Sequence, residues 1–304
     1  MPINPILKLW YKIFNKNEYQ NIKYQTTLKD KIKYYNSEIY NQITEIEKKI
    51  ENNNNLTFLH SGHLGDIIYS LPVIKELSKT HVCNLFIQID KPMELKYFKH
   101  PSGDKYLDKR IVEMLIPLLK KQKYLNQVEI YSNQNVDINL DLFRKIPINI
   151  QFYSPRWFFQ LTGVQVNLEK PYLDVEIDQN LSNKIVILRT FRARNYFINY
   201  KFLDKYNDLL FVGMKDEFED IKKQVSNIKF HNCKNFLEMA QIIKSSKFFI
   251  GNQGIGYAIA EALKVPRLLE ANPDFPVIFP IGPNAFDFYH QVHFEKFFDK
   301  LNKS

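Results

Sequence analysis

Cysteine is nearly missing from this 304-residue chain, in which Cys83 and Cys233 stand alone. Two distant thiols exclude a disulfide framework and make a reducing cytoplasm the expected setting. No run of about 18 apolar residues occurs, so no membrane-spanning helix is expected. The opening MPINPILKLWYKIFNK holds neither a long apolar core nor a small-residue cleavage site, which argues against a secretory signal. Short-period repeats, low-complexity tails and an Asp-x-Asp metal motif are missing too. Glycine is scarce, with nine in all. Five of those nine, Gly62, Gly65, Gly251, Gly254 and Gly256, fall in two short stretches.

What is present is the composition of a globular protein, 45% hydrophobic and 25% charged, long enough for two domains. Lysine and arginine exceed aspartate and glutamate to leave a net charge of +9, spread along the chain. Such a diffuse excess suits anionic partners in general, and no nucleic-acid partner is expected.

Residues 1–55 read as a helical extension. Lys8, Lys12 and Lys16 fall on one helical stripe among Leu7, Leu9, Trp10, Ile13 and Phe14, a pattern compatible with residues 6–14 lying on the inner face of a membrane or packing on their own domain. A second helix is expected over 30–51, its apolar side carrying Ile32, Tyr35, Ile39, Ile43 and Ile46. From Leu56 short apolar runs alternate with helical ones. Strands are expected at 56–60, 83–89 and 127–131, with helices at 66–79 and 107–120. A second alternation follows residue 183, with strands at 184–189, 209–213, 228–231, 247–250 and 266–270. Two Rossmann-like domains facing across a cleft are therefore predicted, at 56–182 and 183–285, closed by a helix over 286–304 with Phe288, Val292, Phe297 and Leu301 near one side.

The two glycine-rich stretches each join a strand to a helix. Such turns let a ligand approach the backbone and present a helix N-terminus to an anion. In the first, His60-Ser-Gly-His63-Leu-Gly65-Asp66, the carboxylate of Asp66 is placed either to accept a proton from a hydroxyl or to cap the helix. His60 and His63 could orient a substrate; two histidines without a further ligand nearby make a poor zinc site, and no metal is expected. The second stretch is Gly251-Asn252-Gln253-Gly254-Ile-Gly256-Tyr257. Its tail, with Glu270 downstream, approximates a dinucleotide-binding fingerprint. Its glycine spacing, the short chain beyond Glu270 and the missing Tyr-x-x-x-Lys argue against a complete NAD site. Between the two lies Arg189-Thr190-Phe-Arg192-Ala-Arg194, three arginines in six residues after an apolar strand, expected to grip a phosphate.

Together these residues resemble the GT-B glycosyltransferases and, within them, family 9, the heptosyltransferase-like group. Gly65 to Pro72 is similar to that family's Gly-Asp-x-x-x-x-x-Pro element, Leu210 to Glu217 to its Gly-containing strand and acidic residue, and Phe249 to Val265 to its donor-site helix. The resemblance implies a transferase without a cofactor that takes a nucleotide diphosphate sugar and a glycan or lipid-linked glycan acceptor. It implies Asp66 as general base, Thr190 to Arg194 at the diphosphate, Glu217 near the ribose, and Asn252, Gln253 and Gly254 at the donor. Gly65, His60, His63 and Tyr257 would serve acceptor binding or orientation. Asn252-Gln253-Gly254 and Tyr257 stand where the family usually has Asp-Ser/Thr-Gly and a histidine, which leaves the donor open. A binding protein that holds a nucleotide sugar without turning it over is the alternative, and an NAD-dependent reductase a weaker one.

Overall fold

A computed structural model describes residues 5–93, 100–147, 154–178, 183–275 and 277–303. The expected boundary at residue 182 lies outside them.

The chain begins with α1 (Pro5–Phe14), which a break at Asn15 separates from α2 (Lys16–Tyr34). The helix does not stop at residue 34. A π-turn over Tyr35–Ile39 carries it directly into α3 (Tyr40–Asn52), so the second helix is longer than its pattern suggests. The wider π-turn shifts the helical phase. Ile39 and Ile46 consequently turn into the core, where α3 rests against α6 (Ser154–Thr162), while Ile32 and Tyr35 face outward. The expected single apolar stripe is thus split into two.

The first sheet contains β1 (Asn55–His60), β2 (Val82–Ile87), β3 (Gln127–Ile130) and β4 (Ile138–Asn139), all parallel, in the order β3-β2-β1-β4. Helices α4 (Leu64–Leu77) and α5 (Lys109–Lys120) provide its crossovers. β4 is only two residues long and has no period to read, so the sequence does not announce it.

The second sheet contains β5 (Ile185–Leu188), β6 (Leu209–Val212), β7 (Lys229–His231), β8 (Phe248–Asn252), β9 (Arg267–Glu270) and β10 (Ala285–Phe288). Its order, β10-β9-β8-β5-β6-β7, is the doubly wound arrangement, wholly parallel. Helices α7 (Lys215–Lys222), α8 (Phe236–Ser245) and α9 (Ile255–Leu263) join its strands. Alternation places Val186 and Leu188 in the core shared with the first half, and Ile185 and Ile187 against the aromatic layer of α10 (Gln291–Lys303).

The expected helix over 286–304 starts too early. Phe286 and Phe288 belong to β10, which completes the sheet, and Phe288 stacks on Phe294 with ring centroids 4.1 Å apart. Within α10 the inward positions are Phe294, Phe298 and Leu301, whereas Val292 is 70% exposed.

The halves meet through α4 against α9 and α5 against α8. A Cβ on Gly65 would lie 4.0 Å from the Ala258 Cβ, so these small residues allow the first turns of α4 and α9 to approach closely.

Candidate functional site

Each sheet reverses its strand order once, between β1 and β4 and between β5 and β8. In such sheets the loops at the carboxyl ends of the strands beside the reversal diverge and leave a crevice.

At the first crevice, the loop after β1 meets the 3-10 turn after β4 (Leu140–Lys145). The buried Asp141 accepts hydrogen bonds from the Ser61 backbone N–H, 3.2 Å away, and from the Ser61 hydroxyl. It also pairs with Lys91 at 3.2 Å and with Arg144. Burial opposes its ionisation, yet His60 and Arg144 hold the Asp141 carboxyl below the ordinary carboxylate range.

Arg144 then reaches across to Asp66, with its Nη2 3.1 Å from Oδ2. Its guanidinium lies 4.7 Å from the Tyr106 ring and 4.3 Å from that of Phe143. A Cβ on Gly62 would fall 2.2 Å from Arg144 Nη2 and 2.7 Å from His60 Cε1, so a larger residue there would displace these side chains. Asp141, Arg144, Lys91 and Tyr106 have no place in the sequence-based expectation. The signal was weak: an Asp and an Arg three apart in a stretch without regular alternation.

Asp66 sits in the first turn of α4, which begins at Leu64 instead of near Asp66, with His63 as the preceding cap residue. The carboxylate accepts from the His63 backbone N–H, so it does share in capping. Burial raises its pKa above the ordinary carboxylate range, against the opposing charge of Arg144. Its side chain remains 17% exposed, and a raised carboxylate with a path to solvent is suited to proton transfer.

The two histidines diverge. His60 is fully buried, its Nδ1 accepting from the Gly62 N–H at 2.9 Å and lying 3.5 Å from Asp141. Burial lowers its pKa to about 4. His63 instead meets His100, Nδ1 to Nε2 at 3.3 Å. Burial first, and the Arg192 charge second, lower His63 to about 3 and His100 to about 4. Arg192 belongs to the loop after β5, so the two crevices face each other. Among the described residues no cluster of three metal-ligating side chains occurs.

At the second crevice the expected arginine cluster disperses. Arg189 is buried, not presented to the cleft: Nε and Nη2 hold the two Glu270 oxygens at 2.7 and 2.9 Å, and Nη2 also donates to the carbonyls of Asn195 and Ile198. The Tyr200 hydroxyl donates to the same carboxylate at 2.9 Å. Glu270 is thereby enclosed and cannot serve a ribose, which removes the main support for an NAD site. Arg194 pairs with Asp220, donates to the Thr190 carbonyl at 3.0 Å and lies 4.4 Å from the Phe191 ring. Of the three, the half-buried Arg192 is the one whose charge reaches the opposite half.

Asn252 is fully buried, and both ends of its amide bind Thr190: Oδ1 accepts from the N–H at 2.8 Å and Nδ2 donates to the carbonyl at 2.8 Å. It latches β8 to the loop after β5 instead of opening toward a donor. Glu217 is also buried and accepts from the N–H groups of Phe191, at 3.3 Å, and Met214, at 3.4 Å. Burial raises its pKa against those bonds. Tyr257 is enclosed in α9. Gln253 and Gly254 are half-buried at the start of α9, and a Cβ on Gly254 would come no nearer than 3.6 Å to Thr190. Gly251 and Gly256 are steric instead, with a Cβ on Gly256 falling 2.7 Å from Leu188 Cδ1.

The first turns of α4 and α9 therefore converge, each presenting free backbone N–H groups and a positive dipole end. Between them lie a protonatable carboxylate, Arg192 and the open backbone at Gly254.

No family model matches the chain, and no curated protein matches its sequence. The structure is similar to E. coli heptosyltransferase WaaC with ADP, at a TM-score of 0.56 and 10% identity over 81% of this chain and 99% of that one. It is similar to a glycosyl transferase family 9 protein from Veillonella parvula, at 0.51 and 12% over 82% and 89%. A third likeness is to TibC of enterotoxigenic E. coli, an iron-containing heptosyltransferase in complex with an ADP-heptose, at 0.50 and 13% over 77% and 62%. At these identities the likeness establishes the fold.

Proposed function

We propose that this protein is a glycosyltransferase that moves a sugar from a nucleotide diphosphate sugar to a hydroxyl of a glycan or lipid-linked glycan. The observation that carries the reading is the convergence of two helix N-termini around Asp66 and Arg192, in a two-sheet fold like that of the heptosyltransferases. Asp66 accepts the acceptor's hydroxyl proton as its oxygen attacks the anomeric carbon. The bond to the diphosphate breaks in the same displacement, its electron pair leaves with the phosphate oxygen, and the anomeric centre inverts. Arg192 and the start of α9 face the charge that develops on the departing group. They stabilise that charge in a chain that lacks an Asp-x-Asp motif, so the proposed step uses no metal ion. Arg189 and Asn252 hold the loops that carry these groups.

The Arg144–Asp66 contact favours a second reading, a protein that binds the donor without transfer, because the guanidinium already occupies a carboxylate oxygen that would have to take the proton. Incubation with UDP-, GDP-, ADP- and CMP-sugars and a glycan acceptor decides between the two. Thermal stabilisation by one donor together with release of its nucleotide is expected. Stabilisation without turnover would establish the binding protein, and stabilisation by NAD alone would overturn both readings.

A further inference from the structure

The N-terminal helical arm has an apolar face that the fold does not use. No residue of α1 is buried, and Leu9, Trp10, Ile13 and Phe14 are each at least half exposed. These four occupy one side of the helix, with Lys8 and Lys12 along its flank and Lys16 just past its end, at the start of α2. No acidic residue occurs from Pro5 to Asn17. From Lys16 the helical run continues to Asn52, about 55 Å at roughly 1.5 Å per residue. It is its far end, α3, that rests on the body through α6.

We infer that α1 docks on a membrane surface rich in anionic lipid, lying in the interface with Trp10, Ile13 and Phe14 turned into the acyl boundary and the three lysines among the headgroups. The inference is independent of the proposed transfer reaction. A short helix with an indole and a phenyl ring on its apolar side and a lysine flank has the composition of an interfacial helix. Charge decides against a second copy of this chain as the occupant. A twofold contact through α1 sets the same patch against itself, bringing two acid-free lysine flanks together with nothing to neutralise them. An anionic bilayer supplies both the apolar phase and the countercharge.

Cosedimentation of the full chain with vesicles of phosphatidylcholine mixed with phosphatidylglycerol, and of phosphatidylcholine alone, tests this. Binding to the mixed vesicles that weakens with added salt is expected, with little binding to the neutral ones. The triple variant Lys8→Gln, Lys12→Gln, Lys16→Gln is expected to bind about a hundredfold more weakly, roughly fivefold per lysine near a charged surface. Trp10→Ser with Phe14→Ser is expected to abolish binding while leaving the melting temperature unchanged, since neither side chain is part of the core. The only other tryptophan, Trp157, is buried, so in a Trp157→Phe background the emission of Trp10 reports insertion by a blue shift. Full-length protein that stays in the supernatant with the mixed vesicles, or triple-lysine protein that binds like the parent, would overturn the inference. So would a lipid-free, concentration-dependent blue shift of Trp10 accompanied by dimer formation, which would assign the face to a second copy. None of these readouts depends on turnover, so a failed transfer assay does not bear on them.

Discussion

Asp66 and the arginines after β5 show how far one residue's neighbours decide its chemistry. Asp66→Asn is expected to abolish transfer while donor affinity stays within a few-fold, because in the proposed reaction the residue acts only on the acceptor's proton; normal turnover would leave Asp66 with its capping role alone. Arg192 and Arg189 are expected to separate cleanly. Arg192→Ala removes a charge-assisted contact of about 1.5–3 kcal/mol, seen in calorimetry as a ten- to hundredfold loss of nucleoside diphosphate affinity, with a smaller loss for the monophosphate. Arg189→Ala instead strands the buried Glu270 carboxylate, and breaking a buried pair from one side costs about 3–5 kcal/mol. Its signature is therefore a lowered melting temperature. Unchanged diphosphate affinity in Arg192→Ala would sink the assignment of that residue.

At the scale of elements, the N-terminal end of α9 combines two glycines of opposite meaning. Gly256 lies where the helix presses on β5, and an added Cβ meets the Leu188 side chain at 2.7 Å. Overpacking of this kind costs about 1–3 kcal/mol, so Gly256→Ala is expected to lower the melting temperature by several degrees. Gly254 has an extended backbone, with φ near 167°, and space around its Cα. Gly254→Ala should melt like the parent but bind nucleoside diphosphate more weakly, because the methyl group would occupy the place where the proposed donor approaches the backbone. Equal melting temperatures for the two variants would show that the closeness of α9 to β5 is not what fixes Gly256.

For the whole molecule, the polar cluster buried between β1 and β4 sets the response to acid. His60 has its pKa lowered by burial from 6.5 to about 4. As pH falls the unfolded chain takes up that proton first. The stability is complete above about pH 6.5 and is lost progressively down to about pH 4, by roughly 3 kcal/mol. Asp141, held below the ordinary carboxylate range, adds a loss in the same direction at lower pH. Asp66 has the opposite sign: its raised pKa gives stability in acid that fades as pH rises through the folded value, and over that same interval it gains the charge that the proposed base needs. Melting temperatures followed from neutral pH into acid should fall for the parent and flatten for His60→Gln. A parallel decline in both would remove His60 from the account.

The sequence alone determined the elements with a strong period and the turns between them. The period-two and period-3.6 patterns from Leu56 to Glu270 are local properties, set by which face of a strand or helix must leave water, so both α/β halves and both glycine turns were legible. The place of Asp66 in the first turn of a helix was legible for the same reason, since it follows a glycine turn at the end of a buried strand. The tertiary structure decided which polar groups meet. Arg189 and Glu270 lie 81 residues apart, and Asp66 and Arg144 lie 78 apart. Only strand order makes them neighbours, because β4 returns beside β1 and β9 beside β8. An arginine after an apolar strand looks the same in sequence whether it faces a cleft or a buried glutamate. Desolvation separates the two cases: a carboxylate enclosed by the sheet needs a partner that reaches it, and Arg189 is the side chain that the fold brings within 2.7 Å.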